Sequence, residues 1–309
     1  MQLIKHYLSD RYQYTTTNGH KSSMLPISCG VPQGSVLGPF LFSVVINDLP
    51  KATSMHGTMF ADDACFSIGH SSQATLERHV NLELSRISTW FQSNKLTLNV
   101  YKTCFLLIHR RREKLSLQLS LNGAPISQKE EVKYLGVILD HKLSWKSHIN
   151  SCTSNLSKCL WAVPRLRRYT NTSTLRLVYY ALGYSYLQYG ISVYGKACKS
   201  VLQPLLVKSI NQSNEILFAE YNSPSSPLFL KLNVLKFDDV YTLEITSLMY
   251  NQIKKGVITS QNISSLSSVH SYATRSSNNQ NFHIPIVKSN LAKNFFSLSR
   301  TNSLELIAP

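Results

Sequence analysis

The sequence has six cysteines but no C-x-x-C pair among them. Cys29, Cys65, Cys104, Cys152, Cys159 and Cys198 are scattered without zinc-ligand spacing, several of them in apolar stretches where a free thiol behaves as a small hydrophobe. This argues against a zinc module and a disulfide scaffold, and the expectation is reduced core thiols in an intracellular protein. Long apolar runs are also lacking. The longest, Val36 to Ile46, is broken by Gly38, Pro39 and Ser43 and is too short to span a bilayer. Residues 1–12 have no apolar centre of the length a secretory leader needs. The expected location is the nucleus, the cytoplasm or both, with no membrane partner. No internal repeat is evident.

Acidic residues are scarce. The 309 residues carry 32 Lys+Arg against 16 Asp+Glu, a net charge of +16, which favours a polyanionic partner over a generally basic surface. The excess is local: residues 1–100 sum to +1, 101–200 to +12 and 201–309 to +3. With 43% hydrophobic and 16% charged residues the chain reads as globular and long enough for one large or two modest domains.

Local patterning predicts a mixed fold. Met1–Arg11 reads as helix, a Tyr/Thr-rich segment from Tyr12 as strand, and Asn18-Gly19 as a hairpin turn. After the Gly30–Ser35 turn, Val36, Leu37, Phe40, Leu41, Val44 and Val45 have the period of a buried helix face, with Ser35 as N-cap and Pro39 tolerated in the first turn. Thr58–Ile68 reads as a hairpin interrupted by Asp62-Asp63. A helix capped by Ser71–Ser72 follows, with Leu76, Val80, Leu84, Ile87 and Phe91 as its stripe. Leu96–Asn99, Cys104–Ile108, Leu115–Leu121 and Val132–Leu139 read as strands, the last with Gly136 inside it. From Leu143 to Gly195 the pattern is mostly helical with breaks at Pro164 and Asn171. Leu202–Leu217 and Val234–Tyr250 are further helices, separated by a loop at Ser223–Pro227. Residues 259–309 are Ser/Asn-rich and are expected to be loosely structured.

Two adjacent acids at an apolar turn are costly unless they meet a cation or water. Two-metal phosphoryl or nucleotidyl transfer needs carboxylates held rigidly together around an oxygen-seeking ion. A solvated turn is the plain alternative for Asp62-Asp63 taken alone. The surrounding motifs decide the matter: Gly30-Val31-Pro32-Gln33-Gly34-Ser35, then Ile46-Asn47-Asp48-Leu49-Pro50, then Phe60-Ala61-Asp62-Asp63, in that order. Leu98-Asn99 with Lys102-Thr103, Lys133-Tyr134-Leu135-Gly136-Val137, and Leu143-Ser144-Trp145 follow. The ordered set resembles the reverse transcriptases of non-LTR retrotransposons of the LINE type, jockey- and CR1-like.

The resemblance implies an α+β fold: a partial polymerase palm with antiparallel sheet at 1–142, a mainly helical thumb-like region at 143–258, and the 259–309 tail. It implies RNA-directed DNA synthesis with Mg2+, or Mn2+ in its place, on an RNA template with a DNA primer and dNTP. Asp62 would be a direct metal ligand and Asp63 a second acid at the same turn. Gln33 and Gly34 would lie against nucleotide and template, Lys102 near the departing pyrophosphate, and Tyr134, Leu135 and Gly136 against the primer end. Each has a plainer reading: Gly34 as a turn glycine, Lys102 as solvated, Tyr134 as packing. In the family another metal-binding Asp stands well upstream of the Pro-Gln-Gly loop, and only 31 residues precede that loop here. Asp10 belongs to the intervening segment and is not that ligand. These 309 residues alone are therefore expected to be inactive, either as a fragment of a working polymerase or as a relic that only binds nucleic acid.

In the basic middle third, Lys158, Arg165, Arg167 and Arg168 fall around Trp161 and Tyr169, a mixture suited to phosphates and bases. The Arg165–Arg168 cluster is the expected nucleic-acid contact. Most of the tyrosines from Tyr179 to Tyr194 are expected to be core and interface fillers.

Overall fold

A computed structural model describes residues 2–27, 29–32, 34–109, 115–217 and 225–255. Gln33 and everything after Lys255, including the 259–309 segment, lie outside the described residues. The chain is mixed helix and sheet and divides into two compact units. Of the described residues, the first holds those up to Phe105 together with 115–129, and the second holds 106–109 and those from Glu130 to Lys255.

In the first unit, α1 (Gln2–Leu8) leads into β1 (Tyr12–Gln13), β2 (Thr16–Thr17), β3 (His20–Lys21) and β4 (Leu25–Pro26). β1 pairs antiparallel with β4 and β2 with β3. Asn18 and Gly19 close the inner hairpin with φ of 50° and 81°, the doubly left-handed turn that Asn-Gly favours. After α2 (Leu37–Ile46) and a 3-10 turn at Leu49–Ala52 come β5 (His56–Phe60) and β6 (Asp63–Ser67), then the long α3 (Gln73–Ser93). The core joins Ile46, Leu49, Met55 and Ile87 to Phe42, Met59, Phe66, Ile68, Trp90, Phe91 and Leu98. Each fully buried large aliphatic side chain here stabilises by about 1.5–3 kcal/mol.

α2 departs from its sequence pattern. Its apolar stripe is not buried: Phe40 is 64% exposed, and Val36, Leu37, Val44 and Val45 are exposed as well. The helix contributes Gly38 and Ile46 to the interior instead, with Phe42 against the core. Periodicity marks an apolar face but cannot say whether anything packs on it. Ser35 also stands one residue outside the cap position, although its Oγ accepts from the Gly38 amide at 3.1 Å and so takes over one first-turn donor.

Segment 115–121 shows the reverse case. Leu117, Leu119 and Leu121 are buried in alternation, but only Ser120–Leu121 forms a strand, β8, paired with β9 (Ala124–Pro125). The backbone before it bonds to amide side chains. Gln73 and Asn81 on α3 donate to the carbonyls of Ser116 and Gln118, and Gln128 bonds both Leu115 and Leu117. β7 (Cys104–Leu106) pairs with β10 (Ser127–Lys129). Leu96–Asn99 is irregular, not a strand, because the Asn99 carbonyl and side chain accept from the Lys102 and Thr103 amides and turn the chain.

In the second unit, β11 (Glu131–Tyr134) and β12 (Val137–Asp140) form an antiparallel hairpin where the sequence suggested one strand. Leu135 and Gly136, at φ of 44° and 84°, make its turn. Then come α4 (Lys146–Leu166), α5 (Thr172–Tyr179), a π-turn at Tyr180–Tyr184, α6 (Ser185–Gln188), α7 (Ile191–Tyr194), α8 (Lys199–Leu217), α9 (Ser225–Leu232) and α10 (Phe237–Lys254). α4 runs through Pro164 rather than breaking there, whereas Asn171 caps α5, its Oδ1 accepting from the Thr174 amide at 2.9 Å. Ser225–Pro227, expected in a loop, form the first turn of α9, where proline needs no donor. α4 packs on α8 around Ile149, Leu156, Leu187, Ile191, Tyr194 and Leu205. A second cluster joins Cys159, Val163, Leu175, Tyr179, Ile216 and Phe229. Among the tyrosines Tyr179 and Tyr194 are buried, while Tyr180, Tyr186 and Tyr189 are exposed and so not core fillers. Of the cysteines, Cys65, Cys152 and Cys159 are buried, but Cys29 and Cys198 are exposed, against the expectation of core thiols. No helix among the described residues is long and apolar enough to cross a membrane.

His148 sits inside this unit. The Ile138 amide donates to its Nδ1 at 3.4 Å, its Nε2 lies 3.6 Å from Cys152 Sγ, and its ring meets Tyr194 edge-on. Burial pushes its pKa below the ordinary 6.5, so the imidazole is neutral when folded. On unfolding it regains the ordinary value, so the unfolded state binds the proton first as pH falls. The stability this residue contributes is thus present above pH 6.5 and lost below it. The urea midpoint of the second unit should therefore be lower at about pH 5.5 than at about pH 7.5. His148→Gln should show a shallower pH dependence than wild type. An equal slope in the variant would mean that other groups set it.

Candidate active-site hairpin and basic helix

β5 and β6 pair in register, Phe60 opposite Asp63 and Met59 opposite Ala64, with Ala61 and Asp62 alone in the loop. Only one of the two acids is therefore in the turn; Asp63 is the first residue of β6. φ is 52° at Ala61 and not positive at Asp62, the sign pattern of a II′ turn. Because side chains alternate along a strand, Gly57, Met59, Ala64 and Phe66 share one face, and Met59 and Phe66 pack into the core. Phe60 and Asp63 share the other. Both carboxylates are exposed at the end of a ladder anchored on its inner face.

Left-handed backbone at an alanine costs roughly 1–2 kcal/mol and is found where function holds a turn in shape. Ala61→Gly relieves that strain but adds backbone freedom to the unfolded chain, so it should leave stability within about 1 kcal/mol. Ala61→Val should destabilise by about 1–2 kcal/mol, since a β-branched residue tolerates positive φ poorly. Urea denaturation of the two variants checks this. Equal stability of Val and Gly would show that residue 61 does not hold this conformation.

Cys65 lies two residues beyond Asp63, buried, and burial pushes its thiol up to about 11. The donors at the turn are carboxylate oxygens, which suit Mg2+ or Mn2+. Among the described residues no group of three or more His, Cys, Asp or Glu is arranged to hold a metal. Asp62 and Asp63 thus fit such an ion in donor chemistry, and two carboxylates would supply only part of its shell.

The glycine-rich loop belongs to the same unit. Gly30 and Gly34 have φ of 82° and 76°. A Cβ at Gly34 would meet nothing within 4 Å, so glycine is needed for its backbone and leaves the approach to it open. The loop is tied from behind: Arg11 Nη2 donates to the Gly30 carbonyl at 2.6 Å, and the Tyr7 hydroxyl to Ser35 Oγ at 2.5 Å. Ser35 Oγ in turn donates to the Pro32 carbonyl at 2.7 Å. Lys102 is exposed in the turn built on Asn99.

Tyr134, Leu135 and Gly136 are in the second unit, at the tip of the β11–β12 hairpin. Tyr189, one of the tyrosines grouped from sequence as core and interface fillers, donates from its hydroxyl to the Leu135 carbonyl at 2.5 Å. Its ring would lie 3.0 Å from a Cβ at Gly136, so glycine lets the tyrosine lock the turn. The basic cluster ends α4. Arg165 and Arg168 are exposed and Arg167 is half-buried.

A buried acid was also missed by sequence reasoning. Glu83, 1% exposed on α3, accepts from Thr53 Oγ1 and the Ser54 amide, both at 2.7 Å, and pairs with Arg86 Nη1 at 2.7 Å. His79 Nε2 is 3.5 Å from the same carboxylate. Burial alone would raise its pKa, but the hydrogen bonds from Thr53 and Ser54 and the charge of Arg86 prevail and hold it at about 2. The signal for it was an acid inside an otherwise apolar helical face.

Residues 1–139, a little under half of the chain, match the family described as reverse transcriptase (RNA-dependent DNA polymerase). Beyond that class, it is similar to proteins of particular mobile elements. It is 27% identical over 249 residues to the RNA-directed DNA polymerase from mobile element jockey of Drosophila melanogaster, an alignment covering 77% of this chain and 27% of that protein. It is 28% identical over 249 residues to the probable RNA-directed DNA polymerase from transposon BS of the same species, covering 75% and 27%. It is 26% identical over 239 residues to the retrovirus-related Pol polyprotein from type-1 retrotransposable element R1 of Bradysia coprophila, covering 75% and 24%. The resemblance drawn from the motifs is borne out. The chain spans about a quarter of the length of these curated relatives. No solved structure matches it.

Proposed function

We propose that this chain is the part of a non-LTR retrotransposon reverse transcriptase that carries the acidic turn and the region gripping template and primer. The reaction is RNA-directed DNA synthesis, with RNA template, DNA primer and dNTP as partners and Mg2+ as the metal. Residues 1–142 act as palm and 143–258 as thumb-like region, in the nucleus, the cytoplasm or both.

The observation that carries this reading is the setting of Asp62. It occupies a two-residue turn at the end of a ladder fixed to the core, in the same compact unit as a backbone-open Gly34 loop. In this reading Asp62 binds the metal, Asp63 adds negative charge beside it, Gln33 and Gly34 receive nucleotide and template, and Lys102 meets the pyrophosphate. Tyr134, Leu135 and Gly136 support the primer end, and Arg165, Arg167 and Arg168 contact phosphates. The bound metal would lower the cost of charge developing on the transferred phosphate.

A second reading, nucleic-acid binding without catalysis, is favoured by the incomplete ligand set among the described residues. Primer extension on an RNA template separates the two. The 309-residue polypeptide should be inactive alone. Joined to the upstream portion of a jockey-type relative, it should extend the primer with Mg2+ or Mn2+ and lose that activity in Asp62→Asn. A folded, inactive chimera would sink the catalytic reading.

A further inference from the structure

We infer that Trp161, with Arg165 stacked on one face, is a platform for an unpaired base of a nucleic-acid strand whose phosphates follow the exposed face of α4. The inference rests on the proposed nucleic-acid binding and adds to it the kind of strand and the residue that selects it.

One set of exposed positions on α4 recurs at steps of three and four, Ser151, Ser154, Lys158, Trp161 and Arg165, with exposed Arg168 in the turn just past its end. That spacing makes one stripe along the helix. It faces little negative charge from its own sequence. α4 contains no Asp or Glu, and none occurs between Asp140 and Glu215. A cationic stripe with no carboxylate on its own helix complements a polyanion.

In the middle of this stripe stands a large aromatic ring. Arg165 Cζ lies 3.3 Å over the centre of the Trp161 ring, and its Nη1 donates to the Trp161 carbonyl at 3.2 Å. Pro164 between them has no amide to donate to the Leu160 carbonyl, yet α4 continues through it, so the pair stays on one helical face. With one face covered by the guanidinium, Trp161 is still 65% exposed, so its other face is open to solvent. Tyr169, two turns on, is 85% exposed. A duplex tracked by its phosphates has no use for an open indole, because its bases already stack on both sides. An unpaired base has a free π-face, and stacking on tryptophan is tolerant of sequence. Arg165 is already ordered on the ring, which lowers the cost of fixing both side chains on binding.

The test uses the full chain with two DNA probes, a single-stranded oligo(dT) of about 12 nucleotides and a blunt hairpin duplex of similar phosphate number. Trp161→Ala should weaken oligo(dT) binding roughly 5- to 100-fold and duplex binding less than about twofold. The salt slope should stay unchanged for both probes, because no charge is removed. Trp161→Phe should recover most of the loss. Oligo(dT) should also quench indole emission in the wild type but not in Trp161→Phe, since Trp90 and Trp145 are half-buried. The triple change of Arg165, Arg167 and Arg168 to Ala should flatten the salt slope for both probes. If that triple variant binds as wild type does, the nucleic-acid reading of this helix fails. If it weakens binding while Trp161→Ala affects both probes equally or neither, only the base platform is overturned. Wild-type emission unmoved by saturating oligo(dT) overturns it too, and points to a protein segment over the indole.

Discussion

Glu83→Leu should destabilise the hairpin-bearing unit by about 2–4 kcal/mol. The carboxylate is shut off from water by its own partners, Thr53, Ser54 and Arg86, in a site close to the surface. Leucine fills a similar volume but leaves the Ser54 amide and the Thr53 hydroxyl without an acceptor, and each charge-assisted bond contributes about 1.5–3 kcal/mol. Arg86→Ala should cost less than about 1 kcal/mol, because that side chain is 53% exposed and its pairing is screened. Glu83→Gln keeps the acceptor and should fall between. The carboxyl is held at about 2 against its ordinary 4.5, so its contribution is present above pH 4.5 and lost as pH falls from there towards 2. Hydrogen exchange of the Ser54 and β5 amides in urea reports the right unit. Thr53 and Ser54 lead directly into the strand that ends at the Asp62 turn, so loosening this anchor loosens the candidate site. Wild-type protection in Glu83→Leu would show that the carboxylate only fills space.

What the sequence made legible was short in range. Asn18-Gly19, the Asp62 turn, the α3 stripe and the Asn171 break all depend on residues within about one turn of each other, where backbone preference and side-chain period act directly. What was missed depends on partners far along the chain. The apolar stripe on α2 is real, but its exposure depends on what stands over it. The alternation at 115–121 is real, yet the backbone groups there bond to side chains of an earlier helix, which no strand pattern encodes. Leu135-Gly136 looked like a strand interior because one glycine between apolar residues has no unique reading, and the turn is fixed by Tyr189, 54 residues away. The candidate site was proposed from the sequence on a different ground. Asp62, Gly34 and the motifs between them keep an order that resembles a family's, whereas Glu83 supports its turn without belonging to any motif.

In a chimera that extends primers, Asp62→Asn should lower the rate at least about 100-fold. The change keeps side-chain size and removes the charge that would hold the metal, and metal stabilisation of transferred phosphate is worth several kcal/mol at about 1.4 kcal/mol per tenfold. Asp63→Asn should cost less, within about tenfold. Asp63 is paired opposite Phe60 in the ladder, so its side chain is committed to one sheet face, whereas Asp62 stands in the loop itself. Gly34→Val should be as damaging as Asp62→Asn but for another reason. Valine at φ of 76° is strained, and its branched side chain would fill the space now open over that backbone. Metal titration distinguishes the two causes. Asp62→Asn should need much more Mg2+ and regain some activity with Mn2+, while Gly34→Val should keep its metal dependence and lose nucleotide affinity. Full activity in Asp62→Asn would remove it from the metal site, and a larger loss in Asp63→Asn would transfer the role to the neighbouring acid.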